Sequence, residues 1–347
     1  MTVTALAGVQ APAAGRRVTP TARLILPADA NRDDWLTARR RGIGSSDITA
    51  MLGLSKYGNE LSVYYDKRGE LPLESDDSEP AYWGRVDEDG VARRWAASNR
   101  SSVRRVGLVA NVERPWQMCT LDRRVDTCPI EPGAVCALEI KCRDKMKASM
   151  WRRGCPDDVL AQTLHQADTC GFDHMHVAVK IGGNDYRQFT VRVVEHQQLV
   201  LDLRAAAAEL WQRIVDGRPP VLSPDADPGP LLDLYRRLHP DRSGTVHIDR
   251  DGDAQDALAD YLDAVSAKAE AETRRKAAQA RLYATLGGAE MAVLGDRPAY
   301  SIEQRSKQSP DLSRLAERWP EAYADCVTDK PYDQISIPTD VRKRHSA

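Results

Sequence analysis

Five short runs with strand character crowd the stretch between residues 103 and 193, and one helical segment interrupts them. Val103 to Val112, Met118 to Val125 and Val135 to Lys141 come first, separated by Pro115, Pro129 and Pro132-Gly133, which are turn signals. Asp158 to Cys170 is helical in composition. His176 to Ile181 and Tyr186 to Val193 then alternate well enough to be strands, with Gly182-Gly183-Asn184-Asp185 as the turn between them. Strands gathered on both sides of a single helix predict a mixed α/β (α+β) core with a sheet edge open to substrate.

Helices flank this region. Asp33-Asp34-Trp35-Leu36 opens the first, with Arg39, Arg40 and Arg41 near its end, the order of charge that the helix dipole favours. Gly42-Ile43-Gly44 stops it, and Ser45-Ser46-Asp47 offers an N-cap for a second helix ended by Gly53. Leu61 to Arg68 reads as a third helix and Glu70 to Pro80 as an acidic loop. Trp83 to Ser98 reads as a helix with apolar positions at Val86, Val91 and Trp95. Glu195 to Val215 is a further helix, Pro219-Pro220 ends it, and two helical stretches follow, Leu231 to Leu238 and Ala254 to Leu286. The predicted organisation is a tail without fixed structure over residues 1–30 and a core over 31–200. A helix and Pro/Asp/Gly-rich linker follow over 201–230, then a mostly helical accessory region over 231–347.

Composition narrows the class. With 42% hydrophobic and 29% charged residues the chain can bury a core, which excludes collagen-like, wholly disordered and disulfide-scaffold proteins. No apolar run approaches the ~20 residues of a membrane span. The opening residues have no compact apolar segment behind a basic one, so they make a poor signal peptide. Seven cysteines without a CxxC pair predict reduced thiols in the cytoplasm of a bacterial or phage-infected cell. Net charge is −2, but its distribution is uneven. Arg93 to Arg105 holds five arginines and no acid, and Lys141 to Arg153 holds six basic residues and one acid. From Pro224 to Asp263 ten aspartates face four arginines. This asymmetry suits a front half that binds a polyanion, and solvated helix faces would explain it equally well.

Four residues of the front half carry candidate chemistry: Glu88, Asp122, Glu139 and Lys141. In Leu138-Glu139-Ile140-Lys141, period-two geometry puts the two charged side chains on one strand face and the two apolar ones on the other. A lone E-x-K says little, because amphipathic strands produce it often. An acid on the preceding strand adds weight: Asp122 and Glu139 can share a hard divalent cation if the strands pair. Lys141 beside them can orient or deprotonate the attacking water, or offset charge in the transition state. Glu88, from a crossing helix, supplies a further carboxylate.

The chain resembles the YqaJ-type viral recombinase family, relatives of phage lambda exonuclease within the PD-(D/E)xK nuclease superfamily. The matching stretches are WLTARRRGIGSSD from Trp35, WGRVDE from Trp83, Leu121-Asp122, LEIK from Leu138, AQTLHQADTCG from Ala161 and AVKIGG from Ala178, in family order. The resemblance implies a restriction-endonuclease-like core, a mixed central sheet flanked by helices, with the C-terminal helical region as an extension. It implies Glu88 near the metal, Asp122 and Glu139 as metal ligands with the Ile140 carbonyl, Lys141 as the catalytic lysine, and Gln162 as a residue that fixes the site. Arg39 and Ser46 would bind the DNA 5′-phosphate. A serine that begins a helix, closed by an arginine, is chemically suited to that part. Ser45 and Ser46 would also cap the helix.

The chain departs from the family pattern in three places. Leu121-Asp122-Arg123 replaces P-D-G, His165 stands where the second glutamine of the helix is expected, and Ser45 replaces a glycine. A shifted turn would bring in Asp126 as an alternative strand carboxylate. Cys119, Cys128, Cys136, Cys142, Cys155 and Cys170 fall within the core at spacings that match no known cluster or zinc run. His174 and His176 could bind a metal, a strand start with one solvated histidine being the plainer reading. Trp151-Arg152-Arg153 could grip single-stranded DNA or simply pack at the surface.

The expected activity is an Mg2+-dependent exonuclease, with Mn2+ able to substitute, acting on double-stranded DNA ends 5′ to 3′ and leaving 3′ single strands for recombination. Kinship implies a trimeric ring and a single-strand annealing protein as partners. The alternatives are an endonuclease on the same core and a DNA-end-binding protein whose site has decayed.

Overall fold

The computed structural model describes residues 15–73, 78–221, 227–329 and 332–345. Residues 1–14 of the predicted tail (1–30), the middle of the acidic loop (74–77) and the middle of the linker (222–226) lie outside these. The chain forms two compact units, Met1–Arg242 and Ser243–Ala347.

In the first unit β1 (Ala22–Pro27) precedes four helices: α1 (Arg32–Arg39), α2 (Ser45–Met51), α3 (Glu60–Lys67) and α4 (Glu79–Asn99). Five strands follow: β2 (Val103–Arg104), β3 (Gly107–Asn111), β4 (Met118–Leu121), β5 (Arg123–Val125) and β6 (Cys136–Arg143). Then come α5 (Asp157–Cys170), β7 (His174–Ile181), β8 (Asp185–Arg192), α6 (Gln197–Asp216) and α7 (Pro228–Leu238).

The strands make a five-stranded sheet in the order β2-β5-β6-β7-β8 and a three-stranded sheet in the order β1-β3-β4. The larger sheet is mixed: β6 and β7 run parallel, with Glu139 beside Val177, while the other neighbours are antiparallel. Parallel neighbours need a crossover of a dozen or more residues, and the segment holding α5 supplies it. One sheet face buries Val177, Val179 and Ile181 against Leu164 of α5 and Leu210 of α6. The other buries Leu138, Ile140 and Ala178 against Val91 and Trp95 of α4.

Three expectations change. The runs Val103 to Val112 and Met118 to Val125 are each broken, so that β3 and β4 pair with each other while β5 pairs with β6. At the first break Gly107 has φ +106°, and a Cβ there would come within 2.2 Å of the Leu26 carbonyl oxygen. Only glycine lets β1 and β3 approach in this way. Residues 22–27, assigned to an unstructured tail, form β1, because pairing with β3 and packing of Ile25 and Leu26 against Trp35 and Ala38 order them. Local composition carries no trace of that partner. Third, Val86 is 49% exposed, whereas Val91 and Trp95 are buried as expected.

Helix α7 belongs to the first unit, where Leu234 packs on Leu61 and Leu71. The second unit is built on the 35-residue α8 (Gly252–Leu286). A hairpin of β9 (Met291–Leu294) and β10 (Arg297–Ser301) follows, then α9 (Leu312–Arg318), α10 (Pro320–Cys326) and α11 (Thr339–His345). His345 Nε2 lies 2.7 Å from Asp263 Oδ1 of α8. No described helix is long and apolar enough to cross a membrane.

Candidate active site

The second strand break makes the site. Residues on the N-terminal side of Asp122 follow β3 and those on its C-terminal side follow β6, so the two sheets part at Asp122. Ile140 N–H, left without a strand partner on that side, donates to Asp122 Oδ2 at 2.7 Å. A buried backbone donor needs an acceptor, and here a carboxylate stands in for the missing strand. The same bond anchors Asp122 one residue from Glu139.

Glu139 and Lys141 project from the face of β6 opposite Leu138 and Ile140, as the alternation predicts. Glu139 is 1% exposed, and its carboxylate is the hub of a side-chain network. Lys141 Nζ pairs with Oε1. Gln162 Nε2 donates to Oε1 at 2.9 Å, and its own Oε1 accepts from Lys141 at 2.8 Å. Gln166 Nε2 donates to Glu139 Oε2 at 2.7 Å. Burial and the neighbouring Glu139 charge push the Asp122 carboxyl well above its ordinary range, against the opposing pull of Lys141. The Glu139 charge is felt at Asp122, so the two carboxyl groups share one shielded cleft with the Lys141 ammonium.

Glu88 reaches the rim of the same site from α4, but it is engaged by Arg123. That guanidinium, 4% exposed, also pairs with Asp89 and donates to the Asp122 carbonyl. Arg123 stands in sequence where the turn glycine is expected, and its side chain turns back onto Glu88, Asp89 and the Asp122 carbonyl. Asp126, the alternative carboxylate, is bound to Arg104 at 2.9 Å at the edge of the sheet, away from Glu139.

The second predicted cluster adjoins the first. Arg39 Nη2 lies 3.5 Å from Ser46 Oγ and 3.1 Å from Asp47 Oδ1, and its guanidinium sits over the Trp35 ring at 5.0 Å. The helix α2 is capped by Gly44, whose N–H donates to Asp47 Oδ2 at 2.7 Å, rather than by the serines. Asp47 also meets Lys67 Nζ at 2.6 Å, and the Lys67 side chain is wholly buried. Burial alone would raise the Asp47 carboxyl, but Lys67 and Arg39 hold it below its ordinary range. Burial lowers the Lys67 ammonium against the pull of Asp47. Gln166 Nε2, 3.5 Å from Ser45 Oγ, ties this cluster to Glu139.

Four of these residues carry no role in the site from the sequence: Gln166, Asp47, Lys67 and Arg123. Gln166 had a signal, because it follows Gln162 by four residues and shares its helix face. His165, taken as the second glutamine's counterpart, instead points to the Ile43 and Met118 carbonyls at 3.3 and 3.1 Å, and burial lowers its pKa. Two further readings change. Trp151 is 2% exposed and packed on Phe189, so it cannot stack on DNA. His174 and His176 are both buried.

Residues 34–173 match the model of the YqaJ-like viral recombinase domain. The YqaJ protein of Bacillus subtilis (strain 168) is 24% identical over 316 residues, which cover 89% of this chain and 95% of that protein. Among solved structures, the chain is similar to the alkaline exonuclease LHK-Exo of Laribacter hongkongensis at 16% identity and a TM-score of 0.41, covering 52% of this chain and 94% of that one. The complex of LHK-Exo with dAMP gives 15% identity and a TM-score of 0.42 over the same shares.

Proposed function

We propose that this chain, whose residues 34–173 match the model of the YqaJ-like viral recombinase domain, is a metal-dependent deoxyribonuclease that digests duplex DNA from its ends, 5′ to 3′. Its product is a 3′ single strand for phage-type recombination in the cytoplasm. The observation that supports this most is the meeting of Asp122 and Glu139 at the parting of two sheets, with Lys141 on the Glu139 carboxylate. Hard oxygen donors in that arrangement suit Mg2+, and Mn2+ can take its place.

Asp122, Glu139 and the Ile140 carbonyl would hold the cation, which supplies Lewis acidity and an activated water when bound. Lys141 would orient or deprotonate the attacking water, or offset charge on the phosphorus-bound oxygens. Gln162 and Gln166 hold Glu139 in one rotamer, so that its oxygens are already aimed before substrate arrives. Glu88, as placed, acts through Arg123: the ion pair fixes the backbone carbonyl of Asp122 and with it the ligand's side chain.

Arg39 and Ser46 are the proposed 5′-phosphate contacts. A terminal phosphate carries more charge than an internal diester, and a guanidinium presents a fork of donors to it. Arg39→Ala is expected to slow digestion of a 5′-phosphorylated duplex far more than that of a 5′-hydroxyl duplex, and to shorten the run per binding event. Rates on the two substrates compared side by side decide this. An unchanged ratio in Arg39→Ala would remove Arg39 from end recognition.

Affinity for duplex should fall steeply with salt. Of the two basic stretches, Arg104, Arg105 and Arg143 are in ion pairs with Asp126, Asp89 and Asp158. Arg93, Arg100, Lys145, Lys147, Arg152 and Arg153 are exposed and available to phosphates. Six such contacts would cost about a thousandfold in affinity between roughly 50 and 200 mM salt. Binding measured in EDTA across that range tests it, and a flat response would place these residues away from DNA. A ring of three chains and a single-strand annealing protein would complete the recombination role.

A further inference from the structure

On the sheet face opposite Glu139, four side chains converge that the nuclease chemistry does not use. Cys136 opens β6, His174 and His176 stand two residues apart on β7, and Cys128 comes from the loop after β5. Period-two geometry puts His174 and His176 on one face, and the pairing of Leu138 with His176 puts Cys136 there too. All four are buried, at 4, 0, 2 and 2% exposure for Cys128, Cys136, His174 and His176.

One ligand atom from each lies within 4.8 Å of every other. Cys128 Sγ is 3.2 Å from His174 Nε2 and 3.7 Å from His176 Nε2. In a tetrahedron with Zn–S near ~2.3 Å and Zn–N near ~2.1 Å the S···N edge is about 3.6 Å, which the two distances bracket. The outer nitrogens are held as well: His176 Nδ1 is 3.2 Å from Thr190 Oγ1 and His174 Nδ1 is 3.7 Å from Glu131 Oε2. Partners of this kind orient metal-binding imidazoles and set which nitrogen faces the ion.

We propose that Cys128, Cys136, His174 and His176 form a tetrahedral zinc site that pins the loop after β5 to β6 and β7. Two soft sulfurs and two imidazoles select Zn2+ over the hard cation of the nuclease site. Binding releases the two thiol protons and forms two Zn–S and two Zn–N bonds, and the dication with two thiolates is neutral overall, which suits a buried position. A two-iron cluster that divides its cysteines and histidines between the irons needs a wider cage than 4.8 Å allows. The spacing escapes a sequence search because the ligands come from a loop, a strand start and a second strand across the α5 crossover. The site lies under α4, where the His176 ring is 4.9 Å from the Trp95 ring, and three residues before Glu139 on β6. It does not depend on the nuclease reading.

The test is the metal content of the full chain, purified in reducing buffer and dialysed exhaustively against metal-free buffer without chelator. Wild type and Glu139→Gln are expected to hold about one zinc per chain, and Cys128→Ser and His174→Ala well under half of that. Cobalt loaded in place of zinc should show the intense tetrahedral d–d bands and thiolate charge-transfer bands of an S2N2 site. Cys128→His, which keeps a zinc ligand, should retain the ion and lose part of the charge-transfer intensity, which guards against loss of fold in the other variants. Folded wild type with no zinc and no such cobalt spectrum would overturn the proposal. So would iron in zinc's place, or zinc that Glu139→Gln removes and Cys128→Ser does not.

Discussion

Alanine at Glu139 is expected to abolish hydrolysis of duplex DNA while leaving DNA binding close to that of the wild type. The carboxylate is where Lys141, Gln162 and Gln166 meet, so its loss removes a proposed cation ligand and releases three positioned groups together. Groups that act as a unit fail as a unit, and the single-turnover rate should drop by about a thousandfold or more. Asp122→Ala should do the same, since it takes away the other carboxylate and leaves Ile140 N–H without its acceptor. Lys141→Ala should be as inactive and still bind the cation, because Asp122 and Glu139 remain. Single-turnover cleavage beside a binding assay in EDTA reads both quantities. Full activity in either carboxylate variant would remove the two-carboxylate site from consideration.

The second large effect is on stability. Lys67→Ala leaves Asp47 buried beside Arg39 with one of its two cationic partners gone. Breaking a buried pair from one side costs about 3–5 kcal/mol, because the remaining charge has lost water and partner alike. For a unit of this size that lowers Tm by roughly 6–20 °C. Asp66, which also meets Lys67 but is partly exposed and 3.7 Å away, serves as the comparison: Asp66→Ala should shift Tm by only a few degrees. Thermal melts of the two variants settle it. A Lys67→Ala chain that melts with the wild type would show that Asp47 draws its stability from Arg39 and the Gly44 N–H alone.

What could be read from the residues, and what could not, divides along the range of the interactions. The alternation in Leu138 to Lys141 is local, and it correctly separates the charged face of β6 from the apolar one. The helix α5 is local too, and the i, i+4 rule would have joined Gln162 to Gln166. The family spacing points to His165, about 100° round the helix from Gln166, which faces the Ile43 and Met118 carbonyls instead. The parting of the sheets at Asp122 is not local: each half of the run is ordered by a different neighbour, and nothing in Met118 to Val125 names either. Strand β1 was hidden for the same reason. Arg123 stands where a turn glycine was expected, and only the fold shows its side chain turning back onto Glu88 and Asp89. The Lys67–Asp47 pair joins helices through a contact that no periodicity predicts.

The most direct test of the central claim is one digestion. The full chain is incubated with a 5′-phosphorylated linear duplex and with the same DNA as a covalently closed circle, each in Mg2+ and in EDTA. Release of nucleotides from the linear duplex in Mg2+ alone, with 3′ single strands left behind and the closed circle intact, is the predicted result. Cleavage of the circle as fast as the linear form, or no nucleotide release with any divalent cation, would contradict it.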